Sequence, residues 1–207
     1  STKIGDVFVA TGDKEIFEEV TKKGGKCILT EKEHQTGTDR IFEAYKKLEV
    51  NNIDYVINLQ GDEPVIDIKD IKNLNTNTVK KNFDIATLAC KINNKKILNQ
   101  RNIVKVVTDE KISEEKISKA NTFSRNISIN NKLNVYHHIG IYMYKVSVLE
   151  KFINLSQSKN EINHKLEQMR AIDNNIKIDV ILANSSPIGV DTEEDFLELK
   201  KIMNYKN

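Results

Sequence analysis

The prediction of the fold starts from the stretch Asn58-Leu59-Gln60-Gly61-Asp62-Glu63-Pro64. The apolar residues 54–59 lead into it without Gly or Pro, which is typical of a buried strand in a parallel sheet. Gly61 allows a sharp turn, and Pro64 cannot continue the strand's hydrogen bonds. Two carboxylates, Asp62 and Glu63, therefore follow a strand, where open α/β sheets bind ligands and where carboxylate oxygens suit Mg²⁺. The alternative interpretation is an ordinary turn in solvent.

Composition limits the class of protein. The 207 residues fit one α/β domain, or one domain with a small appendage. With 39% hydrophobic and 30% charged residues, we expect a soluble globular protein, and the net charge of +2 is too small to indicate a nucleic-acid partner. No apolar run is long enough to span a bilayer, so no membrane partner is expected. Cys27 and Cys90 lie in apolar surroundings, which indicates buried thiols in a reducing, cytoplasmic compartment.

The order of strand and helix patterns predicts an α/β fold with a mostly parallel central sheet. Strands are expected at residues 6–10, 26–29, 54–59, 84–90, 102–107, 136–144 and 176–182. Helices are expected at residues 14–23, 41–48, 67–75, 146–152, 161–173 and 193–203, and Thr38 or Asp39 is a candidate cap of the second. Residues 1–207 are interpreted as a single domain. Residues 108–136, with the polar stretch 117–134, are interpreted as an arm or dimerisation insertion.

A second acid, Asp191, follows the last predicted strand and precedes the last predicted helix. Together with Asp62 it could hold a Mg²⁺ ion, although an acid at a helix start is also a common cap. His137 and His138 are adjacent in a strand and point to opposite faces, so they do not form a metal pair, and a neutral core histidine is the simpler interpretation. The sequence carries no Ser-His-Asp spacing, no Walker loop and no Gly-x-Gly-x-x-Gly, which argues against common hydrolases, NTPases and dehydrogenases.

Eight segments together carry a family resemblance over nearly the whole chain. They are Val9-Ala10-Thr11, His34-Gln35-Thr36-Gly37-Thr38-Asp39-Arg40, residues 58–64, Val104-Lys105-Val106-Val107 with Phe123-Ser124-Arg125, His138-Ile139-Gly140-Ile141-Tyr142, Leu166-Glu167-Gln168-Met169-Arg170 and Gly189-Val190-Asp191-Thr192. In this order and spacing they closely resemble the CMP-Kdo synthetases, the 3-deoxy-manno-octulosonate (Kdo) cytidylyltransferases. The resemblance implies a Rossmann-like nucleotidyltransferase fold and a homodimer. It also implies formation of CMP-Kdo and pyrophosphate from CTP and Kdo, for lipopolysaccharide biosynthesis.

The resemblance also implies a role for each matching residue. Asp62 and Asp191 would be the catalytic residues and hold the Mg²⁺ cofactor. The nucleotide would be bound by Gln35, Thr36, Gly37, Arg40 and Gln60, and the sugar by Glu63, Arg125, His138, Tyr142, Glu167 and Gln168. Arg125 has a physical reason for that role, because Kdo carries a carboxylate and a guanidinium binds a carboxylate through two hydrogen bonds.

The chain departs from the family pattern at two places. Gly12 stands where the family usually has Asp. Family members also have a first strand and a loop with Pro-Ala-Arg and Pro-Gly-Lys that binds the CTP phosphates, and no residues here match it. We therefore expect residues 1–207 to be N-terminally incomplete, to leave a strand edge unpaired and to be inactive alone. The alternatives are a cytidylyltransferase for another acid sugar, such as 8-amino-Kdo or a sialic-type acid, or a non-catalytic remnant.

Overall fold

The computed structural model describes residues 4–50, 52–93, 96–127, 133–184 and 193–202. Its strands are β1 Val9–Thr11, β2 Cys27–Leu29, β3 Tyr55–Leu59, β4 Ile85–Cys90, β5 Lys105–Thr108, β6 Ser118–Ser124, β7 Asn134–Lys145 and β8 Ile178–Leu182. Its helices are α1 Lys14–Lys22, α2 Gly37–Lys47, α3 Ile68–Lys81, α4 Lys96–Asn99, α5 Val146–Ile153, α6 Lys159–His164, α7 Met169–Asp173 and α8 Glu193–Ile202. The α/β class is confirmed. Among these helices, none has the length and apolar composition to cross a membrane.

The main sheet has six strands in the order β3-β7-β4-β8-β6-β5, with a further pairing between β7 and β5. The expectation of mostly parallel strands is refined, because β7 runs antiparallel to β3, β4 and β5, and β6 runs antiparallel to β5 and β8. The parallel pairs are β4 with β8 and β1 with β2. An apolar run predicts a strand but not the direction of its neighbours, which is why β3 pairs with an antiparallel strand.

Burial on both faces explains the apolar run in β4. All six of its residues are buried. Ile85 and Ala89 pack into a cluster with α5 and α7, whereas Ala86 and Leu88 face a second cluster with Leu74 of α3. A strand covered on both sides reads as a continuous hydrophobic sequence, and this is the strand that the sequence predicts best.

Residues 117–134 are not an arm along their whole length. They contain β6, which lies inside the main sheet between β8 and β5. The sequence conceals this strand because only Ser118 and Phe123 of it are buried, and the other side chains are polar or small. Cys27 also differs from expectation, since it is only partly buried, whereas Cys90 is buried as predicted. The dimerisation role of residues 108–136 stays a prediction.

β1 and β2 form a separate two-stranded sheet. Within the described residues, β1 pairs only with β2, and β3 pairs only with β7, so each has a strand edge without a described partner. Helix α2 contacts β1, β2 and β3, and it connects the small sheet to the large one.

The helix predicted at residues 161–173 is two helices, α6 and α7. Lys165 ends α6 in the left-handed conformation, with φ 52°, and the chain turns before α7 begins at Met169. A buried ion pair joins the two helices across this turn, in which Arg170 of α7 donates to Glu161 of α6 over 2.8 and 2.5 Å. The apolar residues keep a helical spacing across the break, so their pattern does not reveal it.

Asp179 on β8 should make stability depend on pH. The side chain is buried between Ala86 and Lys119 of the neighbouring strands. Burial raises its pKa from 3.8 to about 6, an effect that Lys119 partly offsets and Asp84 increases. Because the folded state holds the proton more tightly, this contribution to stability is complete below about pH 4 and is lost as the pH rises to about 6.

We therefore expect the free energy of unfolding of Asp179→Asn, relative to that of wild type, to be higher at pH 7 than at pH 4. A shift of this size corresponds to about 2 kcal/mol between pH 4 and pH 7, because at pH 4 the carboxyl of the unfolded chain is already partly ionised. Urea unfolding at both pH values measures the difference. The same effect of the substitution at pH 4 and pH 7 would show that the Asp179 carboxyl does not titrate as described.

Candidate active site

The loop after β3 lies against a glycine of β7. Leu59 is paired with Ile141, so the chain leaves β3 beside Gly140. A Cβ added at Gly140 would lie 3.8 Å from oxygen atoms of both Gln60 and Glu63. The Gln60 amide nitrogen is 4.0 Å from the corresponding position at Gly37, the first residue of α2. Gln60 therefore lies between α2 and β7, and three predicted site segments meet at this point.

A β-bulge in β7 orients the face of the site. Thr87 of β4 is paired with Tyr142, but the next residue, Leu88, is paired with Ile139. Residues 140 and 141 are therefore extra on β7. The buried Thr87 hydroxyl lies 2.7 Å from the carbonyl oxygen of Ile141 and 3.3 Å from that of Ile139, and it has one proton to donate to a carbonyl of the bulge. Bulges redirect side chains, and this one accompanies the glycine over which Gln60 and Glu63 lie.

His138 and Tyr142 are on the same side of β7 and are both buried. Their ring centroids are 5.3 Å apart, and the Phe123 ring packs edge-on against His138 at 5.1 Å. The Thr87 hydroxyl is 3.1 Å from Nε2 of His138. Burial, with a smaller contribution from His137, lowers the pKa of His138 to about 3. His138 is therefore a neutral imidazole at physiological pH, suited to hydrogen bonding and not to carrying charge.

The Tyr142 hydroxyl is a buried polar group without a hydrogen-bond partner of good geometry among the described residues. Burial raises the pKa of Tyr142 well above its ordinary value, and Tyr144 and Glu167 add to the effect, while nearby Thr87 offsets part of it. A buried hydroxyl that lacks a partner loses free energy unless a ligand or water supplies one. Tyr142 is therefore prepared to bind a polar ligand group as a neutral phenol.

The start of α2 contacts the turn between α6 and α7. Thr36, the N-cap of α2, places its hydroxyl 3.0 Å from Glu167 and 2.8 Å from Asp39. Burial raises the pKa of Glu167, an effect that hydrogen bonds from Thr38 and Thr36 partly offset. The cap is thus Thr36 and not the predicted Thr38 or Asp39. A groove of about 410 Å³ lies here, lined by Gln35, Thr36, Gly37, Gln157, Glu161, Ile162, Lys165, Leu166 and Glu167.

Arg40 lies on the other side of α2, at the small sheet. Its guanidinium donates to the Thr30 hydroxyl over 2.6 Å, the Glu31 carbonyl over 2.9 Å and the Lys32 carbonyl over 3.1 Å. A Cβ at Gly12 would come within 2.6 Å of the Glu31 carbonyl oxygen and 2.9 Å of the Arg40 guanidinium. An aspartate at position 12 would therefore displace this loop. An open cavity of about 750 Å³ is lined here by Ala10, Thr11, Gly12, Asp13, Lys14, Leu29, Thr30, Lys32, Glu33 and Arg40.

Two further predicted residues lie next to β6 and α7. Arg125 follows β6, two residues after Phe123, and its guanidinium donates to the carbonyls of Arg101 over 3.3 Å and Asn102 over 3.0 Å. The Arg125 guanidinium is thus bonded to the 100–103 loop, and its role in sugar binding stays a prediction. Gln168 is partly buried and directly precedes α7, next to Glu167.

The predicted metal ligands can be placed only in part. Asp62 is exposed in the turn after β3, two residues from Gln60. Asp191 lies outside the described residues. Among the residues that the structure describes, no group of three or more His, Cys, Asp or Glu side chains could hold a metal ion. An exposed carboxylate at a strand end nevertheless fits Mg²⁺, which commonly takes one or two protein carboxylates together with substrate phosphates and water.

Sequence reasoning missed Thr87, Thr38 and Tyr144. Thr38 is buried under the start of α2, with its hydroxyl 3.4 Å from that of Tyr144. Thr87 left one signal, since it is a lone hydroxyl in an otherwise apolar strand that is buried on both faces. Such a hydroxyl needs a partner, and here the partners are the bulged strand and His138.

Comparisons with known proteins identify the family of this chain. The family model for cytidylyltransferases matches residues 1–178. The 3-deoxy-manno-octulosonate cytidylyltransferase of Paramagnetospirillum magneticum is 35% identical over 201 residues, which cover 97% of this chain and 81% of that protein. The protein of the same name from Brucella canis is 37% identical over 196 residues, covering 94% of this chain and 78% of its own length.

A solved structure shows the same fold with a nucleotide bound. It is a CMP:2-keto-3-deoxy-manno-octonic acid synthetase complexed with CTP, with a TM-score of 0.86 and 32% identity, and the match covers 97% of this chain and 81% of that one. The predicted family and fold class are thereby confirmed. The chain belongs to the cytidylyltransferases and, within them, to the family of 3-deoxy-manno-octulosonate cytidylyltransferases, which are nucleotidyltransferase enzymes.

Proposed function

We propose that this protein transfers the cytidylyl group of CTP to Kdo, giving CMP-Kdo and pyrophosphate. The observation that carries the proposal is the meeting of Gln60, Glu63 and Gly140 beside the buried His138–Tyr142 pair. Relatives of the same name share 35–37% identity, and a similar structure binds CTP. We also propose that the protein acts as a homodimer in the cytoplasm.

The nucleotide would lie between the small sheet and the start of α2. Lys14, Lys32 and Arg40 line the cavity there, and their positive charges suit a triphosphate. Gln35, Thr36 and Gly37 extend this surface toward Gln60, so a nucleotide there would end close to β7. Because Arg40 is bonded to residues 30–32, its first role would be to shape the wall of the cavity.

The sugar would occupy the β7 side. The hydroxyl groups of the sugar would form hydrogen bonds with neutral His138, the Tyr142 hydroxyl, Glu63, Glu167 and Gln168. The carboxylate of the sugar would be bound by the Arg125 cation. One sugar hydroxyl would then form a bond to the α-phosphorus of CTP while the bond to pyrophosphate breaks. The protein's part is to orient the two substrates and to exclude water, which supplies much of the rate in such transfers.

Mg²⁺ is the proposed cofactor. Asp62 would hold it, together with Asp191 beyond the described residues. When bound, the ion would neutralise charge on the phosphate oxygens. The chain's own contribution is the position of Asp62, which the turn after β3 keeps beside Gln60.

Arg125→Ala tests the sugar-binding side of the proposal. We expect the Kd for Kdo to rise about ten- to a hundredfold, because one charge-assisted pair is lost, while the Kd for CTP changes less than about twofold. Isothermal titration calorimetry with each substrate measures both. Binding is measured because its outcome does not depend on whether residues 1–207 catalyse the transfer by themselves.

Arg101→Ala is the matched control, since Arg101 is an exposed arginine in the neighbouring loop. It should bind Kdo as wild type does. Titrations with 8-amino-Kdo and a sialic acid accompany the series. If either acid binds more tightly than Kdo, that acid and not Kdo is the substrate. An equal loss of CTP and Kdo binding in Arg125→Ala would contradict the role of Arg125 in sugar binding.

A further inference from the structure

Lys105 is a lysine whose side chain is completely buried at the start of β5. Its ammonium group donates to the carbonyl oxygens of Gln100 over 2.7 Å, Ile103 over 2.8 Å and Arg125 over 2.6 Å. An ammonium has three protons, so every donor has an acceptor. In the part of the chain that the structure describes, no carboxylate lies within ion-pair distance of it.

A buried charge without a counter-ion is costly. Burial lowers the pKa of Lys105, and the charge of Arg125 lowers it further. A methionine would fill a similar volume without this cost, so packing alone does not explain a lysine here. What an apolar side chain could not do is bond the three carbonyls at once, which requires the protonated amine.

The three carbonyls belong to two loops that meet at Arg125. Gln100 and Ile103 precede β5, while Arg125 follows β6, and Lys105 is paired directly with Ser124 at that strand end. The Arg125 guanidinium bonds in turn to the carbonyls of Arg101 and Asn102. The 100–103 loop is therefore held from one side by Lys105 and from the other by Arg125.

The arrangement also fixes Arg125 relative to the site. The Lys105 strand is bonded to β7 by the amide of His138, which donates to the Val104 carbonyl over 3.0 Å. Phe123, opposite Val106, packs on the His138 ring. Lys105 thus bonds to the backbone of Arg125 and lies in a strand bonded directly to His138.

We propose that Lys105 is a positioning residue for Arg125: its bonds to the three carbonyls set the direction in which the Arg125 guanidinium leaves β6, and thereby the affinity for the carboxylate of the sugar substrate. The inference rests on the proposed function of Arg125. Lys105 itself touches no substrate, and its effect on binding passes through Arg125.

Lys105→Met and Lys105→Gln test the proposal, with Lys72→Met, an exposed lysine of α3, as the matched control. We expect both Lys105 variants to raise the Kd for Kdo about tenfold and to leave the Kd for CTP within about twofold of wild type. In an Arg125→Ala background, Lys105→Met should have no further effect on Kdo binding, because the residue on which it acts is gone. Lys105→Gln retains two donors and keeps the test usable if the methionine variant does not fold.

An NMR measurement separates this inference from the proposed function. The Arg125 Nε–Hε signal, assigned by its absence in Arg125→Ala, should shift or broaden in the Lys105 variants and not in Lys72→Met. An unchanged Arg125 signal, equal losses of CTP and Kdo binding, or additive losses in the double variant would each overturn the positioning role. If Arg125→Ala binds Kdo normally while the Arg125 signal still responds to Lys105, the proposed sugar role fails and the positioning of Arg125 stands.

Discussion

Replacing Arg170 by methionine is expected to lower the free energy of unfolding by about 3–5 kcal/mol, because it leaves the Glu161 carboxylate buried without its partner. The two side chains are 3% and 4% exposed, and Arg170 donates two hydrogen bonds to the carboxylate. Arg170 also lies 4.8 Å from the centre of the Phe152 ring. Urea unfolding of Arg170→Met at pH 7 measures the loss.

The contribution of the Glu161–Arg170 pair to the free energy of unfolding depends on pH. Burial acts to raise the pKa of Glu161, but hydrogen bonds from Arg170 and the Ser158 amide outweigh it and hold the pKa below its ordinary value of 4.5. The pair's contribution is therefore present above about pH 4.5 and is lost as the pH falls through the lowered pKa. Without Arg170 the carboxyl can protonate, so the deficit of Arg170→Met should shrink below pH 4.5.

A double variant, Glu161→Leu with Arg170→Met, is the control. It removes both charges, so it should recover most of the stability lost in the single variant, apart from about 0.5–2 kcal/mol for the capping box that Glu161 forms with Ser158. A single variant as stable as the double one would show that the lost partner is not the cause. Since Glu161 and Arg170 flank the turn that carries Glu167, the single variant should also weaken sugar binding.

Asp62→Asn is expected to reduce cytidylyl transfer by more than about a hundredfold, since loss of a metal ligand should exceed the ten- to hundredfold cost of losing a residue behind the ligands. The amide lacks the charge that binds Mg²⁺. Because Asp62 is exposed in a turn, the free energy of unfolding should not change. Pyrophosphate release from CTP and Kdo in the presence of Mg²⁺ measures the loss of cytidylyl transfer. Mn²⁺ binding in the presence of CTP, followed by electron paramagnetic resonance, measures the loss of the metal ligand independently.

Asp54→Asn is the matched control for Asp62. Asp54 is an exposed aspartate just before the opposite end of β3, and its substitution should alter neither measurement. If Asp62→Asn binds Mn²⁺ with wild-type affinity in the presence of CTP, Asp62 is not a metal ligand and the proposed cofactor site is wrong.

The predictions from sequence succeeded where one physical requirement dominates a segment. β4 is buried on both faces, and no other structure suits its apolar run at that length. The turn that begins at Gln60 follows β3 as predicted. Recognition of the family motifs also supplied residue roles that composition and spacing do not contain, and these roles stay predictions.

The failures have equally specific causes. The end of α6 depends on one left-handed residue, Lys165, which an apolar pattern passes over. The sequence did not indicate that Lys105 is buried, because only the folded chain brings three carbonyls to its amine. The Arg40 bonds to residues 30–32 require both the fold of the small sheet and the absence of a side chain at Gly12.

The separation of β1 and β2 from the main sheet has a consequence for motion. Helix α1 has no buried residue, and the two short strands are hydrogen-bonded only to each other among the described strands, whereas β4 lies at the centre of the main sheet. The free energy of local opening should therefore be low around β1, β2 and α1 and should approach the global value in β4 and β7. The cavity beside Arg40 lies in the unit that opens first, so a nucleotide bound there would act as a cross-link between a labile and a rigid part of the fold.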